Sequence, residues 1–389
     1  MLWTRYVTPS MVAALRPDAL EALENPVFKK ALRWYYLVMD DRRPAKFMIA
    51  KRVELSESKL DTLEEDGLWS LHREAEKVFA SILKEVECED LDYESFKKRY
   101  PQQNPNFLDL KTKIAYTILR RCRFCEFRCS VNRTAENSKR GVCRLGKVTY
   151  VHSWFHHMGE EAPLVPSGTI FYGSCNFRCV YCQNWDISQV EPFAGIPVTP
   201  KQLASIQREL REHGARNINH VGGDPTPNIH TIIDSMRYLD VNVPQLWNSN
   251  FYMSQESMEI LKHIIDIWLP DFKYGNDNCA LRLSGVPRYF GVVTRNLKIA
   301  NENGDMIIRH LVLPNHVECC SLRVLKWIAE NLPRERVLVN IMDQYRPEHK
   351  VLREPEKFRD ISRRISIEEL ERVYNYADKL GLLWRDISR

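Results

Sequence analysis

The stretch GSCNFRCVYCQNWD, Gly173 to Asp186, carries thiols at Cys175, Cys179 and Cys182, spaced C-x3-C-x2-C. Three thiolates this close can bind one cubane iron–sulfur cluster, and three protein ligands on four irons leave one iron open. An open position is what a catalytic metal needs and a structural one avoids. A zinc ion completed by a remote residue is the competing reading. Upstream lie Cys122, Cys125, Cys129 and Cys143, spaced C-x2-C-x3-C-x13-C. Four cysteines complete a site with no open position, and either Zn²⁺ or a second iron–sulfur cluster fits. This second metal centre sits in a basic stretch. Arg120, Arg121, Arg123, Arg128, Arg133, Lys139, Arg140 and Arg144 stand there against Glu126 and Glu136. The cations offset four thiolates or, alternatively, bind phosphate, which would admit an RNA substrate. No stacking-aromatic pattern accompanies them. The remaining cysteines, Cys88, Cys279, Cys319 and Cys320, read as packing residues. The adjacent Cys319 and Cys320 read as poorly placed to share a metal.

These residues need elements to position them. From about Ser167 strands alternate with helices. GTIFYG, NINHVGG, PQLWNSN, IDIWLPDFK, MIIRHLVLP and RVLVNIM read as six strands. TPKQLASIQRELREHG, NIHTIIDSMRYL, SQESMEILKHI, RNLKIANENG and LRVLKWIAENL read as the helices between them. Alternation of this kind implies a parallel sheet, long enough here to curl into a partial (β/α)6 barrel. Chemistry in such barrels sits at the C-terminal ends of the strands. The three-cysteine loop follows the first strand and so lies at that face.

The expected division is a helical N-terminal domain over 1–112, a four-cysteine metal module over 113–165, the α/β barrel over 166–345, and a loop and helix over 346–389. The N-terminal part holds a single glycine before residue 111, Gly67, and apolar residues at helical spacing. The stretch Tyr100 to Leu110 reads as a loop-like boundary. The polar, basic segment after the last strand reads as a solvated loop or a cover for the barrel mouth.

The C-x3-C-x2-C loop, with aromatic Tyr181 before its last cysteine, resembles the signature of radical S-adenosylmethionine (SAM) enzymes. SGTIFYGSCNFRCVYCQNWDIS, NINHVGGDPTP, IDIWLPDFKYGN, MIIRHLVLP and VNIMDQYRP are similar to the proteins named after pyruvate formate-lyase activating enzyme, the glycyl radical enzyme activases. The resemblance covers about Cys122 to the C-terminus. It implies that SAM chelates the open iron of a [4Fe-4S] cluster. One electron then breaks a C–S bond and frees a 5′-deoxyadenosyl radical that takes hydrogen from a substrate.

The resemblance also carries roles across. Gly222 and Gly223 match the Gly-Gly-Glu segment that meets the amino group of SAM, with Asp224 standing where Glu is usual. Asn248 and Ser249 match polar positions near the ribose and carboxylate. Asp271 and Lys273 match the activases' LDLK, where the aspartate lies near the SAM carboxylate through a bound cation. Arg309 and His310, ending the fifth strand, point toward the same mouth, where His310 reads equally as a substrate contact or as a structural hydrogen-bonding residue. A one-electron reductant such as a ferredoxin or flavodoxin is the implied partner, and a backbone glycine of a protein is the substrate the activases suggest. RNA modification is the alternative within enzymes. An iron–sulfur electron carrier or structural protein is the alternative outside them.

The whole chain bounds these readings. It has 389 residues, 44% hydrophobic, and a net charge of +5, small for this length. No apolar run approaches the ~20 residues of a membrane helix, and the first residues are too interrupted for a signal peptide. The expected compartment is the cytoplasm, where eleven cysteines argue for metal or redox work rather than disulfides.

Overall fold

The computed structural model describes residues 6–135 and 140–388. Eight strands form one open sheet: β1 (Thr149–His157), β2 (Ser167–Tyr172), β3 (Ile196–Val198), β4 (Asn217–Gly222), β5 (Gln245–Ser249), β6 (Ile267–Pro270), β7 (Asp305–Leu311) and β8 (Val337–Met342). Their order is β3-β1-β2-β4-β5-β6-β7-β8. The six strands from β2 to β8, without β3, run parallel in sequence order, as the alternation predicts. The antiparallel β1 and β3 at one end were not foreseen. Strand β1, TYVHSWFHH, is mostly half-buried and rich in histidine, so it lacks the apolar run that marks the parallel strands.

The sheet curls. Glu160 and Glu161, just after β1, reach across its concave side. Glu160 accepts from Asn219 of β4 at 2.9 Å. Glu161 accepts from Arg309 of β7 and from Asn340 of β8, each at 2.7 Å. Side chains from β4, β7 and β8 can meet one carboxylate pair only if the sheet wraps into a partial barrel.

The connecting helices carry local signals that read correctly. Helix Pro200–Glu212 opens on a capping box in which Thr199 and Gln202 satisfy each other's backbone N–H. Another box, Asn106 with Asp109, starts helix Phe107–Arg120 inside the expected loop boundary, because the cap fixes the first turn there. This helix runs on across residue 112. Helices between Pro9 and Arg120 pack onto the barrel rather than apart from it. Val38, Phe47, Ile49, Leu108, Ile114 and Ile118 are fully buried and belong to the same hydrophobic cluster as the barrel interior. Trp34 Nε1 and the Lys46 amide donate to Asp266 at 2.9 and 3.0 Å, just before β6. The Tyr35 amide donates to Asp305 at 2.7 Å, the first residue of β7. These helices therefore floor the N-terminal end of the strands, opposite the cysteine loop.

Candidate functional site

The cysteine loop leaves β2 and is held at both flanks. Backbone amides of Arg178 and Val180 donate to the carbonyls of Ser284 and Leu283 at 3.0 and 2.9 Å. These carbonyls end the helix Asp277–Ser284, which no sequence pattern had singled out. From the far side the Lys350 amide donates to the Val180 carbonyl at 2.9 Å, and Trp185 stacks on His349. The segment after β8 thus lies against the cysteine loop.

Cys175, Cys179 and Cys182 face one cavity of about 260 Å³. Each sulfur has a polar neighbour. The Phe177 amide donates to Cys175 at 3.2 Å, Ser284 Oγ to Cys179 at 3.0 Å, and Ser188 Oγ lies 3.4 Å from Cys182. Burial pushes the Cys175 and Cys179 thiols up, so binding a cationic centre there releases protons. Tyr181 lines the cavity and is tied through its hydroxyl to the helical wall: that oxygen lies 2.6 Å from the Tyr274 hydroxyl, which lies 2.6 Å from Ser284 Oγ. A hydroxyl chain thereby ends on the Cys179 sulfur. Sequence reading missed Tyr274 and Ser284, which are 95 and 105 residues distant from Cys179 in sequence.

The strand ends complete the cavity. Gly222 ends β4 and Gly223 follows it, Asn248 and Ser249 end β5, and Asp271 and Lys273 follow β6. Gly222 has φ +114°, and a Cβ there would stand 2.2 Å from the Tyr172 amide nitrogen. A Cβ on Gly223 would stand 2.0 Å from the Ser174 carbonyl oxygen. Asp224 also lines the cavity, with its oxygens accepting from the amides of Thr226 and Asn250, each at 2.9 Å. Burial pushes its carboxyl up to about 6. Lys273 Nζ pairs with Asp271 at 2.7 Å, and the Asn248 Nδ2 amide is buried without a protein partner among the described residues. Asn250, which sequence reading passed over at the end of its third strand, lies 3.6 Å from the Cys175 sulfur through Nδ2.

One pair is corrected. Arg309 and His310 do not point the same way, because neighbouring strand residues alternate between faces. Arg309 lines the cavity and pairs with Glu160 and Glu161. Burial pushes the Glu160 carboxyl up, but Arg309 and His157 hold it below the usual range. His310 is buried on the other face, with Nδ1 donating to the Phe272 carbonyl at 2.7 Å and Nε2 2.8 Å from Ser321 Oγ.

A second cavity of about 420 Å³ adjoins the first and shares Gln183, Asn184, Asn248 and Arg309 with it. Its carboxylates are Asp18, Glu21, Glu160, Glu161, Asp343 and Asp386, and its guanidiniums are Arg16 and Arg309.

The upstream cysteines dock beside the loop. Ser174 Oγ donates to the Cys143 carbonyl and Arg178 to that of Val142. Burial pushes the Cys125 thiol up, and the thiols of Cys143, Cys122 and Cys129 push it further. Arg133 is buried with Nη1 3.8 Å from the Cys122 sulfur. Burial favours its neutral form, yet these thiols hold its pKa above the ordinary value. Glu136 and Lys139 of the basic stretch lie outside the described residues. The reading of the remaining cysteines also changes. Cys88 is exposed, while Cys279, Cys319 and Cys320 converge on His316. A wide helical turn over Val317–Ser321 brings the adjacent pair round together.

A family model described as the Radical SAM superfamily matches residues 169–328. The chain is 44% identical over 353 residues to "Uncharacterized protein MJ0674" of Methanocaldococcus jannaschii, covering 90% of this chain and 97% of that one. It is 25% identical over 217 residues to "Uncharacterized protein MJ0808" of the same organism, covering 54% and 60%. Among solved structures it is similar to Streptococcus suis SuiB bound to S-adenosylmethionine, with a TM-score of 0.40 and 15% identity over 53% of this chain and 45% of that one. It is also similar to TYW1 with a lysine-pyruvate adduct bound, with a TM-score of 0.35 and 12% identity over 54% and 73%. The match thus spans less than half of that SuiB chain.

Proposed function

The chain belongs to the radical SAM superfamily and to one family with MJ0674, and from that premise we propose that it is an enzyme cleaving SAM at a [4Fe-4S] cluster on Cys175, Cys179 and Cys182. The observation that carries this is the single cavity onto which three thiols and the ends of β4, β5 and β6 converge. The residues fit both groups. Three soft thiolate donors suit an iron–sulfur cluster and leave one position free. The orphaned Asn248 amide offers a donor to a carboxylate or ribose oxygen, and Asp224 offers an acceptor to an ammonium. When bound, the two groups supply reductive cleavage of a C–S bond and a 5′-deoxyadenosyl radical that takes hydrogen from a substrate. The chain's part is to orient, through Gly222 and Gly223, and to exclude water, through the segment after β8. Protein reduced with dithionite after anaerobic reconstitution should release 5′-deoxyadenosine and methionine. Cys175→Ala, Cys179→Ala or Cys182→Ala should abolish the release, and unchanged turnover in all three overturns the reading.

The finer reading is a macromolecular substrate, protein rather than RNA, with an activase-like protein glycine as one candidate and a ferredoxin or flavodoxin as electron donor. The acidic adjoining cavity supports it, because six carboxylates against two guanidiniums repel a phosphate backbone and admit a neutral or cationic peptide. Cys122, Cys125, Cys129 and Cys143 are proposed as a second metal centre, supported by the electrostatic effect of their thiols on one another and by the buried Arg133 beside Cys122. Extract fractions that stimulate 5′-deoxyadenosine formation should lose this effect with protease and keep it with nuclease. Stimulation that survives protease rules out the protein substrate. Among the described residues no helix is long and apolar enough to cross a membrane.

A further inference from the structure

A third group of metal-binding side chains lies outside both cysteine sets that the sequence singles out. Cys279 stands in the first turn of helix Asp277–Ser284. His316, Cys319 and Cys320 lie in the turn between β7 and helix Leu322–Asn331. Three Sγ atoms and a ring nitrogen all fall within 4.8 Å of one another. Cys279 Sγ is 3.5 Å from His316 Nδ1 and 3.8 Å from Cys319 Sγ. Cys319 Sγ is 3.3 Å from His316 Nδ1 and 3.9 Å from Cys320 Sγ.

These separations decide what the group suits. A tetrahedral zinc with bonds of about 2.3 Å to sulfur and about 2.0 Å to nitrogen has S···S edges of about 3.8 Å and S···N edges of about 3.5 Å. Four of the six donor separations, 3.3 to 3.9 Å, stand near those spacings, and all six lie within 4.8 Å. The thiols are too close together to cap separate corners of a cubane. They are too far apart to be disulfide-bonded, a bond of about 2.05 Å.

The surroundings are those of a metal site. His316 Nε2 lies 2.9 Å from Asp360 Oδ2, a carboxylate–histidine pair that fixes the ring and presents Nδ1 to a metal. Asp360 is itself held by Arg282 Nη1 at 2.7 Å. Asn276 Nδ2 donates toward Cys279 at 3.2 Å and Cys320 at 3.8 Å, as amides do toward ligating thiolates. Apolar packing alone would not aim three thiols at one imidazole nitrogen and tie the other nitrogen to a carboxylate.

We propose that Cys279, His316, Cys319 and Cys320 form a closed, four-coordinate zinc site. Thiolate and imidazole donors select zinc over the hard cations, and four protein ligands leave no place for substrate. The ion ties three segments: helix Asp277–Ser284, the turn after β7, and, through Asp360, the C-terminal region. The far end of that helix carries the two carbonyls that hold the cysteine loop and the Ser284 hydroxyl on Cys179. The zinc therefore acts as a brace behind the cluster loop and not as part of the reaction.

The test is the zinc content of the full chain, expressed with added zinc, against a Cys279→Ser/Cys319→Ser double variant. The parent should hold one zinc per chain more than the variant, with iron unchanged. Asp360→Asn keeps all four ligands and covers the case in which the double variant does not fold. It should bind zinc about 10- to 100-fold more weakly in competition with a chromogenic chelator. Equal zinc in parent and folded double variant overturns the proposal, and so does an Asp360→Asn chain that holds zinc as tightly as the parent.

Discussion

Asp224 shows how much one residue's surroundings decide. Its place after Gly222 and Gly223 was legible from the sequence, but its protonation was not. Burial lifts the carboxyl from 3.8 to about 6, against the backbone amides that favour the anion. Folded protein therefore takes up this proton at higher pH than unfolded chain does. The resulting stabilisation is full below about pH 4 and is lost as pH rises through about 6. Asp224→Asn removes the group. The urea midpoint of the metal-free protein should fall between about pH 4 and pH 6 more steeply in the parent than in the variant. Parallel curves would show that Asp224 does not carry the shift. The Arg309–His310 pair makes the related point about direction: strand parity, visible in the alternation, puts one side chain in the cavity and the other against the helical layer.

At the scale of an element, helix Asp277–Ser284 is the wall of the cysteine loop. Its sequence, DNCALRLS, carries no motif that announces this. Ser284 Oγ reaches the Cys179 sulfur at 3.0 Å, and hydrogen bonds to ligating sulfur raise the reduction potential of an iron–sulfur cluster. Ser284→Ala should therefore lower the potential of the reconstituted cluster while leaving its iron content intact. Redox titration followed by electron paramagnetic resonance reads the shift, and an unmoved potential would mean the hydroxyl does not donate to the bound thiolate. The same element carries Cys279 at its other end, so the cluster loop and the proposed zinc site share one rigid body.

Over the whole molecule, the N-terminal helices and the barrel share a core. Removing residues 1–120 would strip Asp266 of its Trp34 and Lys46 donors and Asp305 of the Tyr35 amide. It would also uncover apolar surface that Val38, Phe47, Ile49, Leu108, Ile114 and Ile118 now cover. Each such side chain contributes about 1.5–3 kcal/mol by its burial, together of the same size as the usual net stability of a domain, about 5–15 kcal/mol. The chain 121–389 should lack a cooperative thermal transition and near-ultraviolet circular dichroism. A truncated chain that melts cooperatively would show that the barrel stands alone.

The sequence by itself determined the order of six parallel strands and five of the helices between them. It also determined the three-cysteine loop at the C-terminal end of the first parallel strand. Each of these is encoded in contiguous residues, through hydrophobic period, caps and cysteine spacing. Tertiary structure alone decided the contacts between distant segments. Ser284 meets Cys179 across 105 residues, and Cys279 meets His316 across 37. The N-terminal helices close the floor of a barrel that begins more than a hundred residues later. Such meetings depend on how helices and strands pack as bodies, and no local pattern in the chain records that outcome.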